Sequence, residues 1–201
     1  MRVFRSPYFF RLLLPGVWKT DAEMIYMTFD DGPDPNITPW VLSTLKKYNI
    51  QATFFCVGKN AETHGQLLDL IKQDGHRIGN HTYAHENGRK TKNEFYAHSV
   101  EKAGFILKSK LFRPPYGSIK RSQLKILGQK GYKVIFWSWL SYDFDASVKP
   151  ETIINKAKTI RNGDILVFHD SQKAAFNLKN SLEEVIFYLS NKGFKFGLIP
   201  I

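Results

Sequence analysis

Short apolar runs alternate with amphipathic segments along almost the whole chain, and this alternation restricts the fold more than any other feature. The runs predict strands at Met24–Phe29, Ala52–Val57, Arg77–Asn80, Leu111–Arg113, Lys133–Ser138, Asp164–Phe168 and Lys195–Ile199. The amphipathic segments predict helices at roughly Pro39–Tyr48, Ala61–Gln73, Asn93–Lys108, Ile119–Gln129, Pro150–Ile160 and Leu178–Ser190. Alternation of this kind is typical of an α/β domain with a parallel sheet.

The predicted junctions between helix and strand repeat one turn. Segments 73–78, 129–134 and 191–196 each contain a glycine where a helix is expected to end, followed at once by strand-like residues. Glycine readily adopts the left-handed conformation that ends many helices. With about seven strands in a chain of 201 residues, we expect one α/β domain, either a parallel barrel or a doubly wound sheet.

Chemically reactive side chains lie at or just after the ends of the predicted strands. In both architectures, functional groups gather at the carboxyl ends of the strands. We therefore expect the following residues to meet on one rim of the sheet: Asp30, Asp31, His81, Arg113, Asp143 and His169.

Two carboxylates and two imidazoles predict a metal site. Asp30 and Asp31 follow the first strand, in a stretch that taken alone is equally compatible with a capping turn. His81 and His85 are spaced i and i+4, which predicts that both rings lie on one face of a helical turn. Two imidazoles and the Asp31 carboxylate would leave coordination positions open for water and substrate, as a catalytic site requires. Asp30 then stays unligated and can act as a general base.

Two further stretches complete the predicted site, although each also fits an ordinary strand end. In Leu111–Gly117, Arg113 is expected to pair with Asp30 and orient it. Pro115 and the proline before it make the backbone rigid, so that the Tyr116 backbone N–H can point at a developing oxyanion.

A histidine at the end of the sixth predicted strand supplies a candidate acid. His169 follows the apolar run Ile165–Phe168 and could merely donate to a backbone carbonyl. Beside the other rim residues, it is better placed as a general acid toward a leaving amine. Asp143 is the carboxylate expected to orient it.

The basic composition does not define a partner. The formal net charge is +11, but the lysines and arginines are scattered, and no run reaches the length of a basic tail. We therefore expect no nucleic-acid binding and at most a weak attraction to an anionic envelope or membrane surface. A single cysteine, Cys56, is expected to be a core residue, and it leaves the redox compartment undetermined.

The amino-terminal residues mix arginine with short apolar stretches. No uninterrupted apolar stretch within Met1–Pro15 is long enough for a secretory signal or a membrane span. We expect residues 1–22 to dock on a catalytic domain formed by residues 23–201, and we expect a monomer. The sequence is compatible with a cytoplasmic chain and with an envelope-associated one.

Four stretches together resemble the successive motifs of the polysaccharide deacetylase family, the NodB homology domains of carbohydrate esterase family 4. They occur in the family's order between residues 28 and 169 and are Thr28–Pro33, His81–His85, Arg113–Gly117 and Leu166–His169. Each motif is modest alone, but four in the right order are specific.

The resemblance implies a deformed (β/α) barrel and hydrolysis of N-acetyl, or sometimes O-acetyl, groups on chitin-like or peptidoglycan-like glycans. The resemblance also implies zinc, or another divalent ion such as cobalt, as a Lewis acid. Carried over by position, Asp30 is the base and His169 the acid. The implied ligands are Asp31, His81 and His85, whereas Tyr116 and Arg113 belong to the groove.

Two departures from the family pattern concern the groove and one loop. Leu140 and Phe144 stand where the family's fourth motif usually has aspartate and tryptophan, while Asp143 keeps that motif's second aspartate. The difference alters the groove wall and leaves the identity of the glycan open. Glu86 stands where the family often has proline, which we expect to alter the loop more than the ligand His85.

Two other functions remain as alternatives. The chain could be a silent carbohydrate-binding domain, although the candidate base, acid and ligands are all retained. It could also be a metallohydrolase of a non-glycan amide that uses the same metal set. Assays on chito-oligosaccharides and on small amides separate this second alternative from a polysaccharide deacetylase.

Overall fold

A curled sheet of seven parallel strands forms the centre of the protein, in a computed structural model that describes residues 2–7, 13–20 and 22–200. The strand order is β5-β4-β3-β2-β1-β7-β6, and every pair is parallel. The strands are β1 (Tyr26–Asp30), β2 (Thr53–Cys56), β3 (Arg77–Asn80), β4 (Leu111–Phe112), β5 (Lys133–Val134), β6 (Trp139–Leu140) and β7 (Ile165–His169). The predicted α/β fold with about seven parallel strands is confirmed.

Helices lie between the strands and after the last one. They are α1 (Thr38–Lys47), α2 (Gly58–Thr63), α3 (Gly65–Gln73), α4 (Asn93–Leu107), α5 (Arg121–Gln129), α6 (Pro150–Ala157), α7 (Ala175–Lys179) and α8 (Leu182–Asn191). The three predicted helix-ending glycines have φ values of 78° or 79°, which confirms the left-handed turns. No helix within the described ranges has both the length and the apolar character needed to cross a membrane.

Two of the predicted helices are divided in the structure. The prediction for 61–73 missed a break at His64, whose φ of −121° and ψ of 48° are not helical. The prediction for 178–190 missed a break before Ser181, whose hydroxyl donates to the Asn177 carbonyl. Serine favours helix starts because its side chain competes for backbone hydrogen bonds, and α8 begins directly after it.

Two strand predictions were wrong. The segment 133–138 is not one strand, because after Val134 the chain leaves one edge of the sheet and forms β6 at the other edge. The segment 195–199 forms only a single bridge, between Phe196 and Ile25. It cannot join the sheet beside β1, because β2 and β7 already occupy both sides of that strand.

The crossing between β5 and β6 makes the sheet curl into a deformed half-barrel. These strands are the two edges of the sheet, yet only residues 135–138 separate them in the chain. The Ile135 N–H donates to the Phe112 carbonyl on one side, and the Ser138 N–H donates to the Ile165 carbonyl on the other. The two edges of the sheet must therefore lie close together.

The described parts of the amino-terminal segment contact the edges of the sheet near this crossing. Val17 forms a parallel bridge with Ile135, and Arg5 forms an antiparallel bridge with Trp139. The Arg5 guanidinium also pairs with the buried Asp164 carboxylate at 2.6 Å. Residues 8–12 lie outside the described residues, and the division into residues 1–22 and 23–201 stays a prediction.

Side chains along each strand point alternately to two faces of the sheet: an outer face that packs against the helices and an inner face inside the curl. In β1, Met27 and Phe29 belong to the large apolar cluster formed with the helices, whereas Tyr26 packs in an inner cluster with Phe55 and Ile165. Successive strand side chains point to opposite faces, so Asp30 shares the inner face with Tyr26. The inner face therefore supplies the site at its carboxyl end.

Gly79 in β3 permits close packing inside the curled sheet. A Cβ at this position would overlap the ring of the fully buried Phe55. We expect Gly79→Ala to lower the free energy of unfolding by about 1–3 kcal/mol, because the ring has no room to move. Gly128→Ala is the matched control, because Gly128 lies at an exposed position of α5 and a Cβ there would contact nothing. This substitution should raise the free energy of unfolding by up to about 1 kcal/mol. Denaturant titration measures both, and a Gly79→Ala protein as stable as wild type would contradict this packing account.

Candidate metal and acid–base site

A cavity of about 720 Å³ opens at the carboxyl ends of the central strands. The register of β1 and β7 pairs Asp30 directly with His169, so their side chains project from the same face of neighbouring strands. Most of the predicted site residues line this cavity, and these are Asp30, Asp31, His81, His85, Tyr116 and His169. The rim predicted from the strand ends is thus present in the structure.

Asp31, His81 and His85 bring one carboxylate oxygen and two ring nitrogens to within 4.8 Å of one another. Asp31 Oδ1 lies 3.0 Å from His85 Nε2 and 3.6 Å from His81 Nε2. Donor atoms bound tetrahedrally at the usual zinc distances are about 3.3 Å apart. The separations and the chemistry of these three residues therefore fit a divalent cation.

The hydrogen bonding of His81 leaves one ring nitrogen free to act as a ligand. His81 Nδ1 lies 2.8 Å from the Arg113 carbonyl oxygen, which can only accept, so Nδ1 carries the proton and Nε2 keeps its lone pair. Burial lowers the pKa of His81 to about 4, against the pull of the nearby Asp30 and Asp31 carboxylates. The ring is therefore neutral at physiological pH, as a metal ligand must be.

The two imidazoles meet on a loop and not, as predicted, on a helical turn. Residues 81–87 have no helical conformation, and Thr82 and His85 have φ values of 63° and 58°. The ring centroids of His81 and His85 are nevertheless 5.1 Å apart. Hydrogen bonds of Glu86 connect the loop to α4 and within itself: its carboxylate accepts from Ser99 Oγ at 2.7 Å and from the Ala84 N–H at 3.2 Å.

Asp31 is held in a left-handed conformation that a non-glycine residue adopts only at a cost. Its φ is 80°, and its carbonyl accepts from Asn60 Nδ2 at 2.8 Å. Burial opposes ionisation of Asp31, but the His85 hydrogen bond and the His169 charge outweigh it and place the pKa of the Asp31 carboxyl well below its ordinary value. Backbone strain of this kind, about 1–3 kcal/mol per residue, is found mainly at functional sites.

A fully buried guanidinium pairs with Asp30. Arg113 Nη1 donates to Asp30 Oδ1 at 2.7 Å and to Thr28 Oγ1 at 2.6 Å. The remaining donors reach the carbonyls of Ile135 and Phe136, at 3.3 and 3.0 Å. Asp30 Oδ2 lies 4.0 Å from His81 Nε2, so the carboxylate has one oxygen on the guanidinium and the other near the ligands.

His169 and Asp143, which the sequence predicts as an acid and its orienting carboxylate, contact each other through two hydrogen bonds. His169 Nδ1 donates to Asp143 Oδ1 at 2.7 Å, and the His169 backbone N–H donates to Asp143 Oδ2 at 2.9 Å. Burial disfavours the charged ring, but the charge and hydrogen bond of Asp143 outweigh burial and raise the pKa of His169 to about 9. His169 is therefore protonated at neutral pH, with Nε2 the nitrogen not engaged by Asp143.

Tyr116 lies at the border of the cavity in a strained turn. Its φ is 61°, within the 3-10 turn Pro115–Gly117, and its ring packs edge-on against His85 with centroids 4.7 Å apart. Within the part of the chain that the structure describes, the Tyr116 backbone N–H has no hydrogen-bond acceptor. Buried Pro115 lies directly before it and fixes the approach of the chain.

The departures in the fourth motif lie in the cavity wall. Leu140 and Phe144 both line the cavity, beside Trp137. The Phe144 ring packs edge-on against the His169 ring, with centroids 4.8 Å apart. Phe144 therefore gives the His169 ring an apolar neighbour in the cavity wall.

Sequence reasoning missed Asp170, which supports the ligand loop from the end of β7. Asp170 Oδ1 accepts from the Gly32 N–H at 3.1 Å, and Asp170 Oδ2 accepts from Thr38 Oγ1 at 2.5 Å. A side chain on Gly32 would overlap this carboxyl group. Burial raises the pKa of Asp170 to about 8, against the Thr38 hydrogen bond. The signal available in the sequence was a second polar residue directly after His169.

Comparison with known proteins agrees with the fold. The sequence pattern of the polysaccharide deacetylase family matches residues 18–135. A Bacillus cereus protein named peptidoglycan-N-acetylglucosamine deacetylase is 34% identical over 186 residues, covering 88% of this chain and 66% of the relative. This chain therefore spans about two thirds of that relative's length.

Two further matches cover a larger share of the related protein. A second Bacillus cereus protein of the same name is 33% identical over 183 residues, covering 88% of this chain and 86% of the relative. The crystal structure of the Bc1960 peptidoglycan N-acetylglucosamine deacetylase superposes with a TM-score of 0.89 at 31% identity, covering 97% of this chain and 95% of that one. The chain belongs to the polysaccharide deacetylase family.

Proposed function

We propose that this protein is a metal-dependent deacetylase that hydrolyses N-acetyl groups of an amino-sugar polymer, of the peptidoglycan or chitin type, and releases acetate. One observation carries the proposal: a candidate three-ligand metal site, a carboxylate and a protonated imidazole line one cavity. The names of the relatives support a cell-wall glycan as substrate and an association with the envelope.

The ligand set supports zinc, with cobalt as an alternative. Asp31, His81 and His85 would hold the ion, since two imidazoles and one carboxylate suit both metals. A divalent ion bound there would supply a Lewis acid that polarises the acetyl carbonyl and makes a water more acidic.

Two side chains of the protein would each carry out one proton transfer. Asp30 takes a proton from the attacking water, whose oxygen forms the new bond to the acetyl carbon. The Tyr116 N–H donates to the oxygen that gains negative charge. His169 gives the proton on Nε2 to the amide nitrogen as the carbon–nitrogen bond breaks, so the products are acetate and an amine. Arg113 and Asp143 position the base and the acid.

The direct test of this function is acetate release from glycans of different types. We expect the purified protein to release acetate from peptidoglycan fragments or chitin oligomers, to lose this activity after exhaustive chelation, and to regain it with zinc or cobalt. Acetylated xylan tests O-acetyl groups, and small amides test the non-glycan alternative. Undiminished turnover after chelation would contradict metal dependence, and glycan binding without turnover would favour a silent binding domain.

Asp30→Asn and His81→Ala should distinguish the role of the base from that of a metal ligand. Asn at position 30 keeps an oxygen for the Arg113 hydrogen bond but cannot take a proton, so turnover should fall by about 10²–10⁴-fold with metal content unchanged. His81→Ala removes one of three ligands and should lose the metal as well as activity. His98→Ala, on the exposed side of α4, should change neither. Elemental analysis and acetate release measure both quantities, and near-normal activity of Asp30→Asn would rule out its role as base.

Asp143→Asn should move the alkaline limit of activity to lower pH. The acid must be protonated, so the rate is lost as pH rises through the pKa of His169, which Asp143 raises to about 9. A cation in the neighbouring site lowers this limit somewhat, because positive charge disfavours the imidazolium. Without the Asp143 carboxylate, burial is opposed only by the more distant Asp30 and Asp31 charges, so the limit should fall, with kcat lower by about 10²–10⁴-fold.

The pH–rate profile of this variant is compared with that of Asp145→Asn. Asp145 is a nearby carboxylate that pairs with Arg2 and not with His169. We expect the Asp145→Asn profile to match that of wild type. An unchanged alkaline limb in Asp143→Asn would show that Asp143 does not tune the acid.

A further inference from the structure

A second cavity continues from the candidate active site. Tyr116, Trp137 and Leu140 line both cavities, so the two are adjacent along one depression in the surface. The second cavity has a volume of about 970 Å³, large enough for a ligand of several hundred daltons. We call it the extended groove, and a polymer with one acetyl group at the metal site can reach into it.

Aromatic side chains supply the apolar surface of the extended groove. Trp137 and Tyr142 are partly exposed there, and Tyr116 is 67% exposed. Gly117 has no side chain where a Cβ would meet the Trp137 ring, so that ring lies close against the turn. Aromatic surfaces beside polar groups are typical of sites that bind molecules with both apolar and polar faces, as sugar rings have.

Positive charge is the second property of the extended groove. Arg89, Lys120 and Arg121 line it, and its described lining contains no aspartate or glutamate. Lys120 Nζ donates to the Thr91 carbonyl, and Arg121 Nε donates to the Leu13 carbonyl. Among the residues that the structure describes, none accepts from the terminal guanidinium nitrogens of Arg121. None of the three forms a salt bridge with any carboxylate in the described ranges.

We infer that the extended groove binds carboxylate groups carried by the glycan, so that the protein prefers an acidic amino-sugar polymer to a neutral one of equal length. The inference rests on the proposed function and specifies its substrate. Guanidinium groups bind carboxylates through two parallel hydrogen bonds, and the exposed Arg89 and Arg121 are accessible for this contact.

The test compares one glycan in two charge states. The substrates are a peptidoglycan glycan oligomer with free carboxylates and the same oligomer after methyl esterification, which removes the charge and keeps the sugars. The variant is Arg89→Gln/Arg121→Gln. The control is Arg161→Gln/Lys195→Gln, which removes the same charge from exposed residues near the amino ends of β7 and β1, on the opposite rim.

For wild type and for the control, we expect KM for the free-carboxylate oligomer to be about threefold to tenfold lower than for the ester, since each exposed ion pair changes affinity by up to about fivefold. This advantage should shrink as ionic strength rises, because salt screens exposed charges. The Arg89→Gln/Arg121→Gln protein should treat both forms alike. Equal KM values for wild type, or an advantage that survives in this variant, would overturn the inference.

Equilibrium binding separates this inference from the proposed function. Trp137 and Trp18 line the extended groove, so quenching of tryptophan fluorescence reports binding without turnover. Preferred binding of the free-carboxylate oligomer without acetate release would support the groove and contradict the proposed function. Acetate release without any preference between the oligomers would support the function and overturn the groove. Absence of binding to both oligomers would also overturn the groove.

Discussion

The buried ion pair between Arg113 and Asp30 organises the carboxyl end of the curled sheet. The guanidinium is fully buried and reaches β1 through Thr28 and Asp30, while its other donors reach the carbonyls that follow β5. The backbone carbonyl of the same residue accepts from His81. Removal of one partner of a buried ion pair typically destabilises a protein by about 3–5 kcal/mol, because the other charge is left buried and unpaired. Arg113 thus connects Asp30, His81 and the residues that follow β5.

The site combines groups whose environments drive their protonation in opposite directions. His81 is buried and donates to a carbonyl, so it stays neutral and offers a lone pair. His169 is also buried, but it donates to the Asp143 carboxylate, which favours the charged ring. The pKa values of two histidines in one cavity are therefore shifted in opposite directions, to about 4 for His81 and about 9 for His169, which fits the proposed roles of ligand and acid.

Much of the fold and of the candidate site could be predicted from the sequence. Apolar runs located the central strands, because buried parallel strands have no polar alternation to obscure them. The rim followed from those strands, since parallel strands end on the same side and carry Asp30, His81 and His169 to it. The spacing of His81 and His85 correctly predicted that the two rings lie close together. The predicted helical turn was wrong, because a loop with left-handed residues takes its place.

The remaining features depend on contacts that no local pattern encodes. The crossing from β5 to β6 is fixed by hydrogen bonds to Phe112 on one edge and Ile165 on the other, more than 20 residues away in each direction. Asp170 gains its contacts only because the segment that follows β1 brings Gly32 and Thr38 to it. The positive charge of the extended groove likewise comes from residues that are distant in the sequence, Arg89 on one segment and Lys120 and Arg121 on another.

The central claim is that Asp31, His81 and His85 bind one divalent ion together. Anomalous diffraction from crystals of the zinc-loaded or cobalt-loaded protein tests it most directly. The account predicts a single strong peak about 2.0–2.2 Å from one oxygen of Asp31 and from one nitrogen of each histidine. A peak elsewhere, or an ion bound with the Asp31 carboxylate turned away from the two imidazoles, would contradict it.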